Sequence, residues 1–301
     1  MNIGINYQKL FESMCKEGDL DDAKKLYEIN STVDISASNE EAFRLSCKCG
    51  HLDVAKWLYE IKPTIDIRAD DEEAFGFSCE NGHLDVAKWL YEIKPTIDIS
   101  ANDEYAFAIS CEEGHLNIAK WLYEIKPTID ISADHEYAFR FSCIRGYLDV
   151  VKWLYEIKPT IDISANDEYA FKMSCLNGHL DVVQWLYKIK PTINISADDE
   201  FAFTLSCREG YLDIAKWLLE IKPTIDISVG DEYAFKMSCK EGHLDVAKWL
   251  LEIKPIIDTE NGHVFIYSCQ QGHLDIAKWL YEIKPTIDIS AQNECAFRFS
   301  C

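Results

Sequence analysis

The chain has 301 residues, with 52 acidic against 30 basic side chains and a net charge of −22. Such a field repels phosphate backbones and anionic membrane surfaces, which argues against general nucleic-acid binding. Hydrophobic residues make up 48%, too many for a disordered chain, yet no apolar run reaches the ~18 residues of a membrane-spanning helix. The opening segment, MNIGINYQKLFESMC, lacks the basic and apolar regions of a secretory signal, and Asn2 rather than a glycine follows Met1. A soluble, monomeric, cytoplasmic protein is expected.

Twelve cysteines would ordinarily suggest disulfides, but their positions argue otherwise. Cys15, Cys47, Cys79, Cys111, Cys143, Cys175, Cys207 and Cys239 are each 32 residues apart, and Cys269 and Cys301 continue the series after a shorter repeat. Equivalent residues of stacked helical repeats lie about 8–10 Å apart, beyond the ~7 Å between Cα atoms that a disulfide tolerates. Buried, reduced thiols are expected, with Cys49 and Cys295 outside the series and exposed. Trp57, Trp89, Trp121, Trp153, Trp185, Trp217, Trp249 and Trp279 mark the same period, and a proline follows each by six residues. A fixed interval of this length marks a stack of equal repeats.

In chain order, residues 1–36 read as an N-terminal capping repeat. Asp22 and Lys25 stand where the next repeat has Val54 and Trp57, while Leu20, Ala23, Leu26 and Ile29 keep the inner face. Residues 37–290 hold eight repeats of about 32 residues. In the repeat from Ala69 to Ser100, Asp71 is placed to cap a first helix that carries Ala74, Phe75, Ser78 and Cys79. Gly82 ends it. A second helix begins near Leu84, with Val86, Trp89, Leu90 and Ile93 at helical spacing, so the tryptophan ladder is expected in the core. Asp85, Lys88 and Glu92 form its solvated face. Pro95 stops it. Thr96–Ser100 alternates like a short extended arm, and Ala101-Asn102-Asp103 reads as a polar turn. Residues 291–301 read as the first helix of an incomplete tenth repeat, in which Phe297 and Phe299 have no following helix.

Helix, turn, helix and arm in 32 residues resembles an ankyrin repeat, and the resemblance covers almost the whole chain. Gly82-His83-Leu84-Asp85-Val86-Ala87-Lys88-Trp89-Leu90 is similar to the family's G-H-L and V-V-K-L-L blocks. Glu73-Ala74-Phe75-Gly76-Phe77-Ser78-Cys79 stands where the family has T-P-L-H-x-A-A, so its usual hydrogen-bond network at the start of the first helix has lost its Thr, Pro and His. The wording with SC, W and KPTIDIS resembles the large ankyrin families of giant amoeba-infecting DNA viruses, which would place the chain in the host cell cytoplasm. The resemblance implies an all-α solenoid of helix-turn-helix repeats with short extended arms, and a local structural role for the histidine.

No chemistry stands out beside it. His51, His83, His115, His179, His243 and His273 recur once per repeat and are therefore spread along a line, whereas zinc needs ligands about 2 Å from one ion. Cys47-Lys48-Cys49 has no second pair at zinc spacing. The Asp-Glu pairs fall at helix starts, and no phosphate loop, nucleophile elbow or dinucleotide fingerprint is present. No catalytic residue, metal site or cofactor is expected.

In the family, partners contact the arm tips and the exposed side of the first helix. Those are the positions where this chain stops repeating itself. The residue after the first-helix Phe reads Arg44, Gly76, Ala108, Arg140, Lys172, Thr204, Lys236 and Ile266. At the end of the helix, Ile144 and Leu176 replace the Lys48, Glu80, Glu112 and Arg208 of other repeats, and Tyr147 replaces the usual His. The expected function is a non-enzymatic scaffold that binds a protein partner. Its expected site is Arg140, Ile144, Arg145, Tyr147, Lys172, Leu176 and Asn177, with the cations ringing an apolar patch and an amphipathic or acidic segment as ligand. The alternatives are an adaptor whose effector segment lies outside this chain and a spacer without a ligand.

Overall fold

The computed structural model describes residues 6–255 and 263–286, without the side chain of Asp71. Its helices run in pairs: α1 (Tyr7–Glu17) and α2 (Leu20–Ile29), α3 (Ala37–Lys48) and α4 (Leu52–Ile61), α5 (Ala69–Glu80) and α6 (Leu84–Ile93), α7 (Ala101–Glu112) and α8 (Leu116–Ile125), α9 (Ala133–Arg145) and α10 (Leu148–Ile157). They continue as α11 (Ala165–Leu176) and α12 (Leu180–Ile189), α13 (Ala197–Arg208) and α14 (Leu212–Ile221), α15 (Val229–Glu241) and α16 (Leu244–Ile253), α17 (His263–Gln270) and α18 (Leu274–Ile283). Among the described residues there is no strand. Two compact bodies are distinguished, Met1–Ser142 with Asp149–Ile161 and Cys143–Leu148 with Asp162–Cys301. The reading of residues 291–301 as a tenth repeat lies outside the described residues, as do Cys295 and Cys301.

Within each body the odd-numbered helices pack on one another in succession, α1 on α3, α5 and α7 in the first, α11 on α13, α15 and α17 in the second. The packed side chains are the repeating ones. Phe11, Phe43, Phe75, Phe107, Phe139, Phe171, Phe203 and Phe235 are among the largest fully buried side chains. Small residues let the helices approach. Ser142 Oγ donates to Ala138 O of its own helix and, at 2.9 Å, to Cys111 O of the preceding repeat, and Ser174 Oγ does the same to Ala170 O and Cys143 O.

The tryptophans sit less deep than their spacing suggests. All eight are half-buried. Trp89 stands edge-on to Tyr59 of the preceding repeat, with ring centroids 6.0 Å apart, and tilts against Phe43 at 6.2 Å. A second helix has one face on its own first helix and a flank on the previous repeat, so a residue at the flank keeps an open edge. In the first repeat that flank is polar: Asp22 and Lys25 are exposed and form an ion pair of 2.9 Å.

The helix ends follow their local chemistry. Gly82 has φ 82°, a left-handed conformation that glycine adopts without steric cost, and a Cβ there would come within 2.7 Å of the His115 ring of the next repeat. His115 Nε2 also meets Glu80 O at 3.0 Å, so the recurring histidine is a packing residue. The expected extended arm is instead two successive turns, closed by Ile97 N to Lys94 O and Ala101 N to Asp98 O, both 3.1 Å. Its alternation still marks burial: Ile97 and Ile99 point inward and Asp98 outward.

The entry to the first helices from α3 to α15 also differs from expectation. The acidic stretch, read as a cap and first turn, forms a left-handed turn instead. Asn102, Asp103 and Glu104 have φ of 53°, 56° and 65°, and Glu104 N bonds to Ser100 O at 3.3 Å. Asn and Asp tolerate this region better than other non-glycine residues; glutamate does not, and needs a tertiary reason to be there.

Two outcomes are expected. Phe107→Ala should cost ~3–5 kcal/mol in chemical denaturation, and Trp153→Ala clearly less, roughly 2 kcal/mol, because only part of the indole leaves water. The ten described cysteines are unbridged thiols, and burial raises those of Cys15, Cys47, Cys79, Cys111, Cys143, Cys175, Cys207 and Cys239, the first to about 12. Peptide mapping after alkylation of the native protein should find Cys49, which is half-buried, modified well before these eight.

Candidate partner-binding surface

The turns are held by a contact that the family's motif does not contain. Ser100 Oγ, from the last residue of the preceding repeat, donates to Glu104 Oε2 at 2.6 Å, Lys126 Nζ at the end of the second helix of Glu104's own repeat donates to Ser100 Oγ, and Asp130 N of that same repeat donates to Glu104 Oε1 at 3.3 Å. The same clasp recurs as Ser36, Glu40, Lys62 and Asp66 in the first body and as Ser164, Glu168, Lys190 and Asn194 in the second. Where Arg68 replaces the serine, its Nε bonds to Glu72 directly. In its left-handed position the glutamate carboxylate meets both the serine hydroxyl and the main-chain N–H at the far end of its own repeat. This explains the constancy of the KPTIDIS segment: its lysine and its aspartate N–H close the clasp.

The residue after the buried Phe serves the same turns. Arg44 Nε and Nη2 donate to Asn39 O and Ser38 O at 2.8 and 3.2 Å, and Nη1 reaches Asp70 at 2.9 Å and also Glu73. Arg140 repeats this with His135 O and Asp134 O at 2.7 and 3.0 Å. Lys172 pairs with Asp198 of the next repeat and lies 5.8 Å from the Phe201 ring centre.

The helix end is matched across repeats as well. Tyr105 donates its hydroxyl to Glu80 at 2.9 Å, and Tyr137 to Glu112. Burial and the Glu80 carboxylate together raise the Tyr105 phenol to about 12. The same register of 25 residues sets Ile144 opposite Tyr169 and Leu176 opposite Phe201, so an apolar residue arises where its counterpart is aromatic.

The expected site residues therefore divide. Arg140 and Lys172 are 8% and 7% exposed and bind the chain's own turns, so they do not form a ring of cations at the surface. A long cationic side chain goes where carbonyls and carboxylates lie within reach, and the left-handed turns supply both. Arg145 and Asn177 are exposed, and Ile144, Tyr147 and Leu176 are half-buried. Asn177 Nδ2 donates to Met173 O at 2.9 Å and closes the end of α11. In the second body, the Ser174–Cys143 contact sets the last turns of α9 and α11 side by side. Sequence reasoning missed the serine–glutamate–lysine clasp, although its spacings of 4 and 26 residues recur along the chain.

Among the described residues no group of three or more His, Cys, Asp or Glu could hold a metal ion. No described helix is long and apolar enough to cross a membrane.

Stacked helix pairs with invariant cores and a variable first-helix face define a repeat protein of the ankyrin type. The family model for ankyrin repeats matches residues 11–103 and 141–231, more than half of the chain, and the chain belongs to that family. Ankyrin repeats are generally protein–protein interaction modules and generally not enzymes. No curated protein matches the chain.

The clasp is open to test in the first body. Ser100→Ala and Lys126→Met should each destabilise by about 1–2 kcal/mol, since each removes a charged or part-buried hydrogen bond. Their effects should be non-additive by ~0.5 kcal/mol or more in a double-mutant cycle, because Lys126 donates to the very hydroxyl that Ser100→Ala removes.

Proposed function

We propose that the chain is a non-enzymatic scaffold that binds a protein segment on the first-helix face of its second body, at Ile144, Arg145, Tyr147, Leu176 and Asn177. The observation that carries this reading is the contrast within one repeat. The buried positions barely change from repeat to repeat, whereas the helix-end residues do. Matching between consecutive repeats uses part of that variation, at Glu80 and Glu112, and the reading rests on the part that stays exposed, at Arg145 and Asn177.

The segment is amphipathic and lays its apolar side against Ile144, Leu176 and Tyr147, with Arg145 and Asn177 at the edge. The acidic alternative is given up, because Arg140 and Lys172 are engaged within the protein. On the wording of its repeats, the reading extends to a viral protein acting in the host cytoplasm, where its thiols stay reduced.

Affinity purification from the native cell with wild type and Ile144→Glu plus Leu176→Glu tests the site. The double variant should keep its helical circular dichroism and lose the partner, a weakening of at least ~2 kcal/mol on the scale of an interface hot spot. Retention of every wild-type partner by the folded variant would move the contacts to another face.

A further inference from the structure

The residue after the first-helix Phe is a cation in Arg44, Arg140, Lys172 and Lys236, but in two consecutive repeats it is Gly76 and Ala108. Where it is arginine, the guanidinium fills a socket over the left-handed turn. Arg44 donates to the carbonyls five and six residues before it and to the carboxylate of Asp70, 26 residues after it. Over Ala108 the side chain is missing and the socket is not. The equivalent carbonyls are those of Asp103 and Asn102, and the equivalent carboxylate is Asp134, which is exposed. The backbone has the same shape, with φ of 53° and 56° at Asn102 and Asp103 against 52° and 60° at Ser38 and Asn39.

The result is a cavity of about 490 Å³ lined by Asn102, Asp103, Tyr105, Ala108, Asp134 and Tyr137, among others. That volume is within the ~300–1,000 Å³ of ordinary ligand pockets. Its two aromatic walls are set by the hydroxyl contacts of Tyr105 to Glu80 and Tyr137 to Glu112. All of these residues belong to the first body, whereas Ile144 and Leu176 belong to the second.

We propose that the cavity over Ala108 is a receptor for one arginine side chain presented by a basic segment of a partner protein. The guanidinium donates in the plane of its fork to the turn carbonyls, faces the Asp134 carboxylate, and lies between two phenol rings, an arrangement that arginine satisfies and lysine satisfies less well. The chain itself supplies the precedent twice, in Arg44 and Arg140, and its charge of −22 favours the approach of a basic segment. The proposal rests on the reading of the chain as a protein-binding scaffold, but it uses a different surface.

The probe is a nine-residue peptide with one central arginine in a Gly/Ser/Ala background, compared with the same peptide carrying lysine or glutamine. Binding is followed by amide NMR shifts of the 301-residue protein at near-physiological salt. The arginine peptide should give saturable shifts confined to residues 102–109 and 133–137, and bind at least about fivefold more tightly than the lysine peptide. Ala108→Arg fills the socket from within, as Arg140 does, and should weaken the peptide at least tenfold while leaving the melting temperature unchanged or higher. Asp134→Asn, at an exposed carboxylate, should weaken it several-fold and serves if Ala108→Arg does not fold. Equal affinity for wild type and folded Ala108→Arg, or shifts spread over the acidic surface, would overturn the proposal. So would loss of the peptide in Ile144→Glu plus Leu176→Glu with retention in Ala108→Arg, a result that leaves the scaffold reading standing. Failure of the scaffold reading itself would show separately, as an absence of any native partner for the wild type.

Discussion

From α3 to α15 each first helix is entered through a left-handed turn that carries one hydrogen-bonded glutamate. Glu104 accepts from Ser100, the last residue of the preceding repeat, and from the Asp130 N–H at the far end of its own repeat, while Lys126 donates to the Ser100 hydroxyl. A left-handed conformation costs a non-glycine residue about 1–2 kcal/mol, and three in succession would not persist in isolation. Contacts from beyond the turn make them affordable: Lys126 and Asp130 come from the far end of the same repeat, and Ser100 is the last residue of the repeat before. The core has the same dependence, since Trp89 completes its packing on Phe43 and Tyr59 of the repeat before it. Coupling by nearest neighbours is the general property of such stacks; here it is polar at the turns and aromatic along the second helices.

This coupling reinterprets the variable face. A position that differs between repeats is not thereby free to meet a partner. Glu80 and Glu112 are matched by Tyr105 and Tyr137, Lys172 by Asp198, and Lys48 lies 4.1 Å from the Phe77 ring centre. Much of the variation is therefore complementarity between consecutive repeats. The two proposed binding sites use exposed helix-end residues, Arg145 and Asn177, and a position where the side chain is short, Ala108.

The family's hydrogen-bond network at the first helix is replaced here without loss of the fold. In place of the Thr, Pro and His of the usual motif, a serine, a glutamate and a lysine form the hydrogen bonds of the turn from other positions, with the lysine placed just before the proline that stops the second helix. A network of charged and hydroxyl groups tolerates such exchange because it needs only donors and acceptors within reach.

By itself the amino-acid sequence determined the repeat length, the ends of the helices and the recurring small and aliphatic core with its phenylalanines. Gly82 and Pro95 punctuate the chain through backbone sterics, and Phe107, Cys111 and Leu122 recur at helical spacing because apolar area must leave water together; these are local or periodic properties. Three features were decided only by tertiary structure. The acidic run at Asn102-Asp103-Glu104 reads equally as a right-handed first turn, and the left-handed form wins because folding brings Ser100, and Lys126 and Asp130 from the far end of the same repeat, to the Glu104 carboxylate. The depth of Trp153 depends on which flank faces a neighbour, which spacing does not specify. Arg140 and Lys172 are long enough to reach either solvent or a turn, and their burial was settled by the carbonyls and carboxylates that stacking places within that reach.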